Sequence, residues 1–96
     1  MAITFVARMT VKPEKEAYFK RICLALREQV HANEPNTLTY EYYKLREPNR
    51  YAVIESFTDE AAEEVHLNQD YFKAVLDDIL ACLDGTYVRE YLDPME

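Results

Sequence analysis

Two side chains of this sequence have the chemistry and spacing for proton transfer. Glu55 lies on an alternating apolar and polar segment that predicts a strand, and His66 follows on a predicted helix. Helical spacing places His66 on the same face as Ala62 and Val65. Imidazole titrates near neutral pH and can take a proton from a weak acid, and a nearby carboxylate can fix its tautomer. We predict that His66 and Glu55 are the catalytic pair.

Aromatic side chains accompany this pair and could stack on a flat ligand. The candidate substrate-binding residues are Tyr40, Tyr51, Phe57 and Phe72. A structural interpretation stands beside the catalytic one, because a histidine on an apolar helix face is often a hydrogen-bonded core residue. Glu55 could equally be a buried carboxylate paired across a dimer with Arg8 or Arg89. His31 lies near the end of a predicted helix, where it complements the negative dipole end, and we place it outside the site.

Composition restricts the class of protein. The 96 residues predict a single domain, 1–96, and the net charge of -7 argues against nucleic acid or an anionic membrane as a partner. No apolar run approaches the roughly 20 residues that span a bilayer, and no secretory signal is present, so we expect a cytoplasmic protein. Cys23 and Cys82 lie in apolar helical patterns without metal-ligand spacing. They predict two buried thiols and no metal site.

Six elements are predicted to position these residues. Residues 2–11 alternate as a strand, and a helix then runs from Pro13 to about Asn33, ending before Pro35. Residues 37–45 and 51–57 predict a hairpin. A helix capped by Thr58 or Asp59 follows, with a break at 67–70. A second apolar stripe runs from 72 to 83, Gly85 ends it, and 86–92 predict a last strand.

This order of elements predicts a ferredoxin-like α+β fold, in which an antiparallel sheet carries both helices on one face. Leu26 and Leu76, one from each apolar stripe, are expected to pack on that face. Two short helices cannot cover both faces of the sheet, and its other face carries many apolar and aromatic side chains. We therefore expect a homodimer that joins sheet to sheet.

The segment from His31 to Phe72 resembles the antibiotic biosynthesis monooxygenase (ABM) domain, and the pattern spans almost the whole chain. The matching residues are Glu34-Pro35-Asn36-Thr37 with Tyr40, then Tyr51, Glu55, Phe57, Asp59, Ala62, His66 and Phe72. Asn36 stands where the family usually has Gly, and Phe57 stands where it usually has Trp. Phe57 keeps a ring that can stack but lacks the indole hydrogen-bond donor.

The resemblance implies a dimeric α/β barrel of two ferredoxin-like subunits, each with a pocket between helices and sheet. Some members of the family oxidise phenolic or quinol-type compounds with molecular oxygen and no metal or flavin, while others degrade haem or isomerise small sugar-like molecules. In the haem-degrading members, an Asn, a Trp and a His act on the haem, and these positions correspond here to Ala7, His66 and Leu76. Leu76 cannot serve as the axial ligand of a haem iron, so the resemblance does not imply haem binding. The resemblance therefore implies a cofactor-independent monooxygenase acting on a small aromatic compound.

Two alternatives remain open at the level of sequence. The chain could be a non-catalytic dimeric module that binds a small ligand, or an isomerase on the same scaffold, because fold does not fix function. The cavity beside His66 separates an enzyme from a passive module. An enzyme is expected to enclose roughly 300 Å³ or more with the imidazole exposed to that space.

Overall fold

The chain forms four strands and three helices, and the computed structural model describes all residues, 1–96. The strands are β1 (Ile3–Thr10), β2 (Thr37–Lys44), β3 (Arg50–Phe57) and β4 (Val88–Tyr91). The helices are α1 (Glu16–Asn33), α2 (Glu60–Leu67) and α3 (Asp70–Ala81), and a short 3₁₀ turn, Pro13–Lys15, precedes α1. The predicted ferredoxin-like α+β fold is confirmed.

The sheet has the order β2-β3-β1-β4, and every neighbouring pair is antiparallel. Its register brings the polar candidate residues to the middle of the helix-covered face. Glu55 lies opposite Tyr40 on one side and Phe5 on the other, while Ala7 of β1 lies opposite Arg89 of β4. The small side chain of Ala7 leaves space between these larger neighbours.

The core forms between this sheet face and α1. Every second residue of β1 points toward α1, and one face of α1 packs against these residues. This pattern follows from the side-chain repeat of two residues in a strand and about 3.6 residues in a helix. The buried residues of these two elements are Phe5, Ala7, Met9, Phe19, Cys23, Leu26 and Val30. Cys23 and Cys82 are free, buried thiols, as predicted.

The second apolar stripe behaves differently from its prediction. α3 packs against α1 and α2, and the space between α3 and the sheet is a pocket rather than close packing. Ile79 is buried, but Leu76 is half-buried and Leu80 is 42% exposed. The expectation that Leu76 packs in the core is therefore wrong, because α3 is held away from the sheet.

α2 is an eight-residue helix that carries His66 toward the sheet. The Asp59 side chain accepts a hydrogen bond from the Ala62 amide at 2.9 Å, which confirms the predicted cap. Ala62 and His66, one turn apart, form its buried face, whereas Val65 is 55% exposed. The prediction that Val65 shares this face is wrong, because so short a helix contacts the protein along a single row. Gln69 has extended backbone between α2 and α3, at the predicted break.

The opposite sheet face has no helix over it. Tyr43 and Val88 are exposed there, and Val6 and Ile54 are partly exposed at its centre. None of the three helices combines the length and apolar character needed to cross a membrane.

Candidate functional site

His66 lies at the centre of an aromatic cage and is 1% exposed. The ring centroids of Tyr40, Phe57 and Phe72 lie 5.1, 5.6 and 4.7 Å from that of the imidazole. These rings come from β2, β3 and α3, so three elements hold the imidazole of α2 in one place. Close packing on all sides fixes the orientation of the ring.

The hydrogen-bond partner of this imidazole is Glu34. His66 Nδ1 lies 3.1 Å from both carboxylate oxygens of Glu34. Thr37 Oγ1 donates to Glu34 Oε1 at 2.8 Å, and the Tyr71 hydroxyl donates to Oε2. A carboxylate accepts hydrogen bonds and cannot donate them, so Nδ1 carries a proton. In the neutral imidazole, Nε2 then bears the lone pair.

Nε2 faces Glu55 on β3. The distance from Nε2 to Glu55 Oε1 is 3.8 Å, and Nε2 is buried without a hydrogen-bond partner. The structure thus brings the predicted pair together. It also corrects the expected role of Glu55, because Glu34 and not Glu55 fixes the tautomer of His66.

Glu55 is a carboxyl group in an unusual environment. Burial raises its pKa to about 8; the positive charge of Arg89 acts in the opposite direction, and the negative charges of Glu63 and Glu34 raise the pKa further. Glu55 is therefore mostly protonated at neutral pH and can gain or lose a proton within the physiological range.

A pocket between α3 and the sheet exposes Glu55. Eleven of its thirteen lining residues are hydrophobic, and its charged side chains are Glu55 and Arg89. Its floor includes Ala7 and its α3 wall includes Leu76. The cavity volume is about 80 Å³, and the pocket is partly open to solvent. Apolar walls with two convergent charges are the kind of lining that small-molecule sites usually have.

The predicted site residues divide between this pocket and the core behind it. Glu55, Tyr40 and Phe72 line the pocket, whereas His66 and Phe57 lie behind it. Tyr51 packs against Phe19 at 5.2 Å between ring centroids.

The Tyr51 hydroxyl donates to Glu16 at 3.2 Å, so Tyr51 is held at a different part of the core. Neither Tyr51 nor Phe57 can contact a ligand in the pocket as it stands. The cavity criterion also fails, because about 80 Å³ is well below the expected volume and His66 does not line the space.

Arg89 contributes a positive charge to the pocket from the same chain. Its guanidinium lies 4.2 Å from the Phe5 ring centroid, and Nη1 contacts Glu63 at 3.4 Å. Arg8 instead pairs with Glu90 on the other sheet face. Within the chain, Arg89 is therefore the cation that acts on Glu55.

Three residues of this region were not predicted as site residues: Glu34, Tyr71 and Tyr87. Glu34 had a detectable signal: an acidic residue directly after a helix opposes the negative end of the dipole and needs a compensating partner. The tyrosines carried no such signal, since they resemble the other aromatic core residues.

His31 binds Glu41 Oε2 at 3.0 Å and the Tyr40 carbonyl at 3.1 Å, outside the pocket as predicted. No group of three or more His, Cys, Asp or Glu side chains is arranged to hold a metal ion.

Fold and pocket together define a ferredoxin-like α+β domain with an acid–base cluster beneath its helices. The family model described as antibiotic biosynthesis monooxygenase matches residues 2–78. The chain belongs to this ABM family.

Two solved structures are similar over nearly the whole chain. One is a protein from Caulobacter crescentus CB15 assigned to the antibiotic biosynthesis monooxygenases, at 36% identity, 99% coverage of this chain, 91% of that chain and a TM-score of 0.92. The other is a conserved protein from Methanosarcina mazei Go1, at 30% identity, 96% and 91% coverage and a TM-score of 0.87. No curated protein matches the chain.

Proposed function

We propose that this protein is a monooxygenase that oxidises a small aromatic, quinol-like compound with molecular oxygen and without a metal or flavin. The observation that carries the proposal is the Glu55 carboxyl, with its pKa raised to about 8, facing an apolar pocket beside Arg89. Membership of the ABM family supports the reaction type.

The chemistry requires an anion before oxygen can react. A phenol loses its hydroxyl proton, and the phenolate gives one electron to O₂, forming a phenoxyl radical and superoxide. Their combination at a ring carbon forms a peroxide, and loss of water leaves a quinone. In total a phenol and O₂ become a quinone and water: O₂ takes four electrons from the ring, and the O–H and C–H hydrogens end in water.

Glu55 and Arg89 have different roles in forming the substrate anion. A base is most effective when its pKa lies near the operating pH, and Glu55 meets this condition at about 8. The guanidinium of Arg89 stabilises negative charge developing on the substrate oxygen, and the apolar walls strengthen that interaction by excluding water. Tyr40 and Phe72 stack on the aromatic ring.

Sheet-to-sheet dimerisation completes the proposed assembly. The uncovered face carries Val6, Ile54, Tyr43 and Val88 in contact with solvent. A second copy would cover these side chains and leave both pockets on the outer, helical sides. In such a homodimer the pocket of each subunit would stay accessible to substrate.

Oxygen uptake with a panel of single-ring and fused-ring hydroquinones and phenols tests the function. We expect turnover with at least one, and incorporation of one atom of ¹⁸O from ¹⁸O₂ into the quinone. Glu55→Gln should lower kcat by about 10²–10⁴, the usual contribution of a positioned base. The matched control is Glu28→Gln, whose side chain is 71% exposed on α1 and whose removal should leave kcat unchanged.

A folded Glu55→Gln protein with the wild-type rate would remove Glu55 from the mechanism. Absence of uptake across the panel, together with measurable binding of the same compounds, would favour the second candidate, a dimeric small-ligand-binding module. The cavity of about 80 Å³ is the observation that favours this candidate. Conversion of a ligand without oxygen uptake would instead indicate an isomerase.

A further inference from the structure

Glu34 occupies a position that is unfavourable for a carboxylate. It caps the C-terminus of α1, where its amide donates to the Val30 carbonyl, and it is 5% exposed. The negative end of the helix dipole and the loss of hydration both oppose a charge there. A buried charge at such a place is stable only with several donors around it.

Three donors meet this requirement, and they come from three different segments. Thr37 donates from the start of β2, Tyr71 from α3 and His66 from α2. Burial, and then the hydrogen bond to Glu34, raise the pKa of Tyr71, so its hydroxyl remains a donor. The three donors together occupy both oxygens of the Glu34 carboxylate, and His66 Nδ1 is the one that lies within hydrogen-bond distance of both.

The arrangement leaves a reactive atom pointing the other way. Only two buried side-chain nitrogen or oxygen atoms in the protein lack a hydrogen-bond partner, Arg50 Nε and His66 Nε2. Buried polar atoms are nearly always satisfied, so an orphaned one calls for an explanation. His66 Nε2 is aimed at Glu55 Oε1, 3.8 Å away, and Glu55 is the group that meets the pocket.

We propose that Glu34 is a positioning residue: it holds the lone pair of His66 Nε2 toward Glu55 and stabilises the imidazolium that forms when a proton passes inward from the pocket. The inference rests on the proposed function for the identity of the proton donor, a substrate hydroxyl. Glu34 touches neither the pocket nor the substrate. It acts through His66.

The proton transfer balances without any redox change. A substrate O–H gives its proton to one oxygen of Glu55, while the proton on the other oxygen of Glu55 moves to His66 Nε2. Glu55 ends as the neutral acid, the substrate as an anion and His66 as an imidazolium beside the Glu34 anion. The gap of 3.8 Å must shorten for the transfer, as catalytic hydrogen bonds commonly do once substrate binds.

Other titratable groups also face this unit. Tyr40 stacks on the imidazole from β2, Tyr71 contacts Glu34 from α3, and Arg89 and Glu63 act on Glu55 from β4 and α2. Burial raises the pKa of Tyr40 well above its ordinary value, so it stays neutral. Arg89 keeps its positive charge because its pKa is raised, and it acts on Glu55. Glu34 is the carboxylate in hydrogen-bond contact with the imidazole.

Histidine ¹⁵N NMR tests the positioning role without any substrate, because the chain contains two histidines. His31→Asn assigns the two sets of ring signals. We expect the neutral His66 ring to carry its proton on Nδ1 in the wild type. In Glu34→Gln the amide can donate to Nδ1, so the Nε2-protonated tautomer should become the major form.

A second Glu–His pair in the same protein supplies the matched control. His31 contacts Glu41 at 3.0 Å, so Glu41→Gln should alter the His31 signals and leave those of His66 unchanged. Protonation of His66 at Nε2 in the wild type, or an unchanged His66 tautomer in a folded Glu34→Gln protein, would overturn the positioning role. Thr37→Val, which removes one donor to Glu34 and keeps its charge, should retain the wild-type tautomer.

The pH dependence of turnover tests the proton path separately. Without the imidazolium stabilised by Glu34, Glu55 must ionise by itself, and about one-tenth of it is ionised one pH unit below its pKa. Glu34→Gln should therefore lower kcat at pH 7 about tenfold, with KM nearly unchanged, and should recover most of the rate at pH 9. An equal loss at both pH values would indicate a purely structural effect. If the tautomer result holds but no compound is oxidised, the proposed function fails and the positioning role stands.

Discussion

Glu55 links the chemistry of the pocket to the stability of the fold. A neutral carboxyl can be buried beside His66 and the aromatic rings at modest cost, whereas a buried carboxylate pays a large desolvation penalty. The folded protein therefore retains the Glu55 proton to about pH 8, far above the ordinary value of 4.5. The same burial that raises the pKa of Glu55 makes its ionisation unfavourable for folding.

The stability of the protein should fall between pH 4.5 and 8 because of this residue. Below this range Glu55 is protonated in both states; within it the unfolded chain ionises while the folded chain stays protonated. The free energy of unfolding then decreases with rising pH and levels off above 8. Since one pKa unit corresponds to about 1.4 kcal/mol, the loss is on the order of 4–5 kcal/mol.

Urea denaturation of Glu55→Gln at several pH values measures this contribution. The variant should lack the Glu55-dependent decline and be more stable than the wild type at pH 8, since an amide has no proton to lose. Glu28→Gln should keep the wild-type pH dependence, as its side chain is 71% exposed. Parallel stability curves for Glu55→Gln and the wild type would show that Glu55 is not desolvated as described.

At the scale of elements, α1 and α3 have different structural roles although both carry an apolar stripe. α1 lies on the sheet and buries Phe19, Cys23, Leu26 and Val30. α3 buries Ile79 and turns Leu76 toward the pocket. One helix therefore stabilises the fold, and the other forms a wall whose side chains set the size of the pocket.

Alanine substitutions should separate these roles. Leu26→Ala should reduce the free energy of unfolding by about 2–5 kcal/mol, since Leu26 is 3% exposed and its loss leaves a cavity. Leu80→Ala, on the 42% exposed side of α3, should cost less than about 1 kcal/mol. Similar denaturation midpoints for the two variants would contradict the assigned packing.

Leu76→Ala should reduce the free energy of unfolding by an amount between those of Leu26→Ala and Leu80→Ala. It should also allow larger ring systems to be oxidised in the oxygen-uptake panel.

At the scale of the whole molecule, the two faces of the sheet have different surroundings. One face carries the helices and the pocket, while the other leaves Val6 and Ile54 partly exposed and Tyr43 and Val88 in solvent. The apolar side chains are interspersed with polar ones such as Thr4, Ser56 and the Arg8–Glu90 pair. This mixture is compatible with water and also with contact to a second copy in the proposed dimer.

We predict a dimer at micromolar concentration that buries more than about 1,200 Å² in total. Sedimentation should give a species of twice 11.3 kDa. Ile54→Lys, which places a charge at the centre of the uncovered face, should yield monomers. Leu24→Lys, at a 50% exposed position on α1, should remain dimeric. A wild-type protein sedimenting only at 11.3 kDa would rule out this assembly.

The sequence by itself determined the elements and their order. Alternation along β1 and β3, the Asp59 cap of α2 and the break near Gln69 are local features, since each depends on residues a few positions apart. The same periodicities identified which face of α1 is buried. They also placed Glu55 and His66 close enough in the topology to be named as a pair.

Only the tertiary structure decided which of these residues lines the pocket. Glu34 and His66 are 32 residues apart, and their contact depends on how the end of α1 docks against α2. The distance between α3 and the sheet is likewise set by its packing on α1, and it makes Glu55 a pocket residue while His66 remains behind it. Sequence periodicity defines faces, but separations of a few ångströms between elements arise from the packing of all side chains between them.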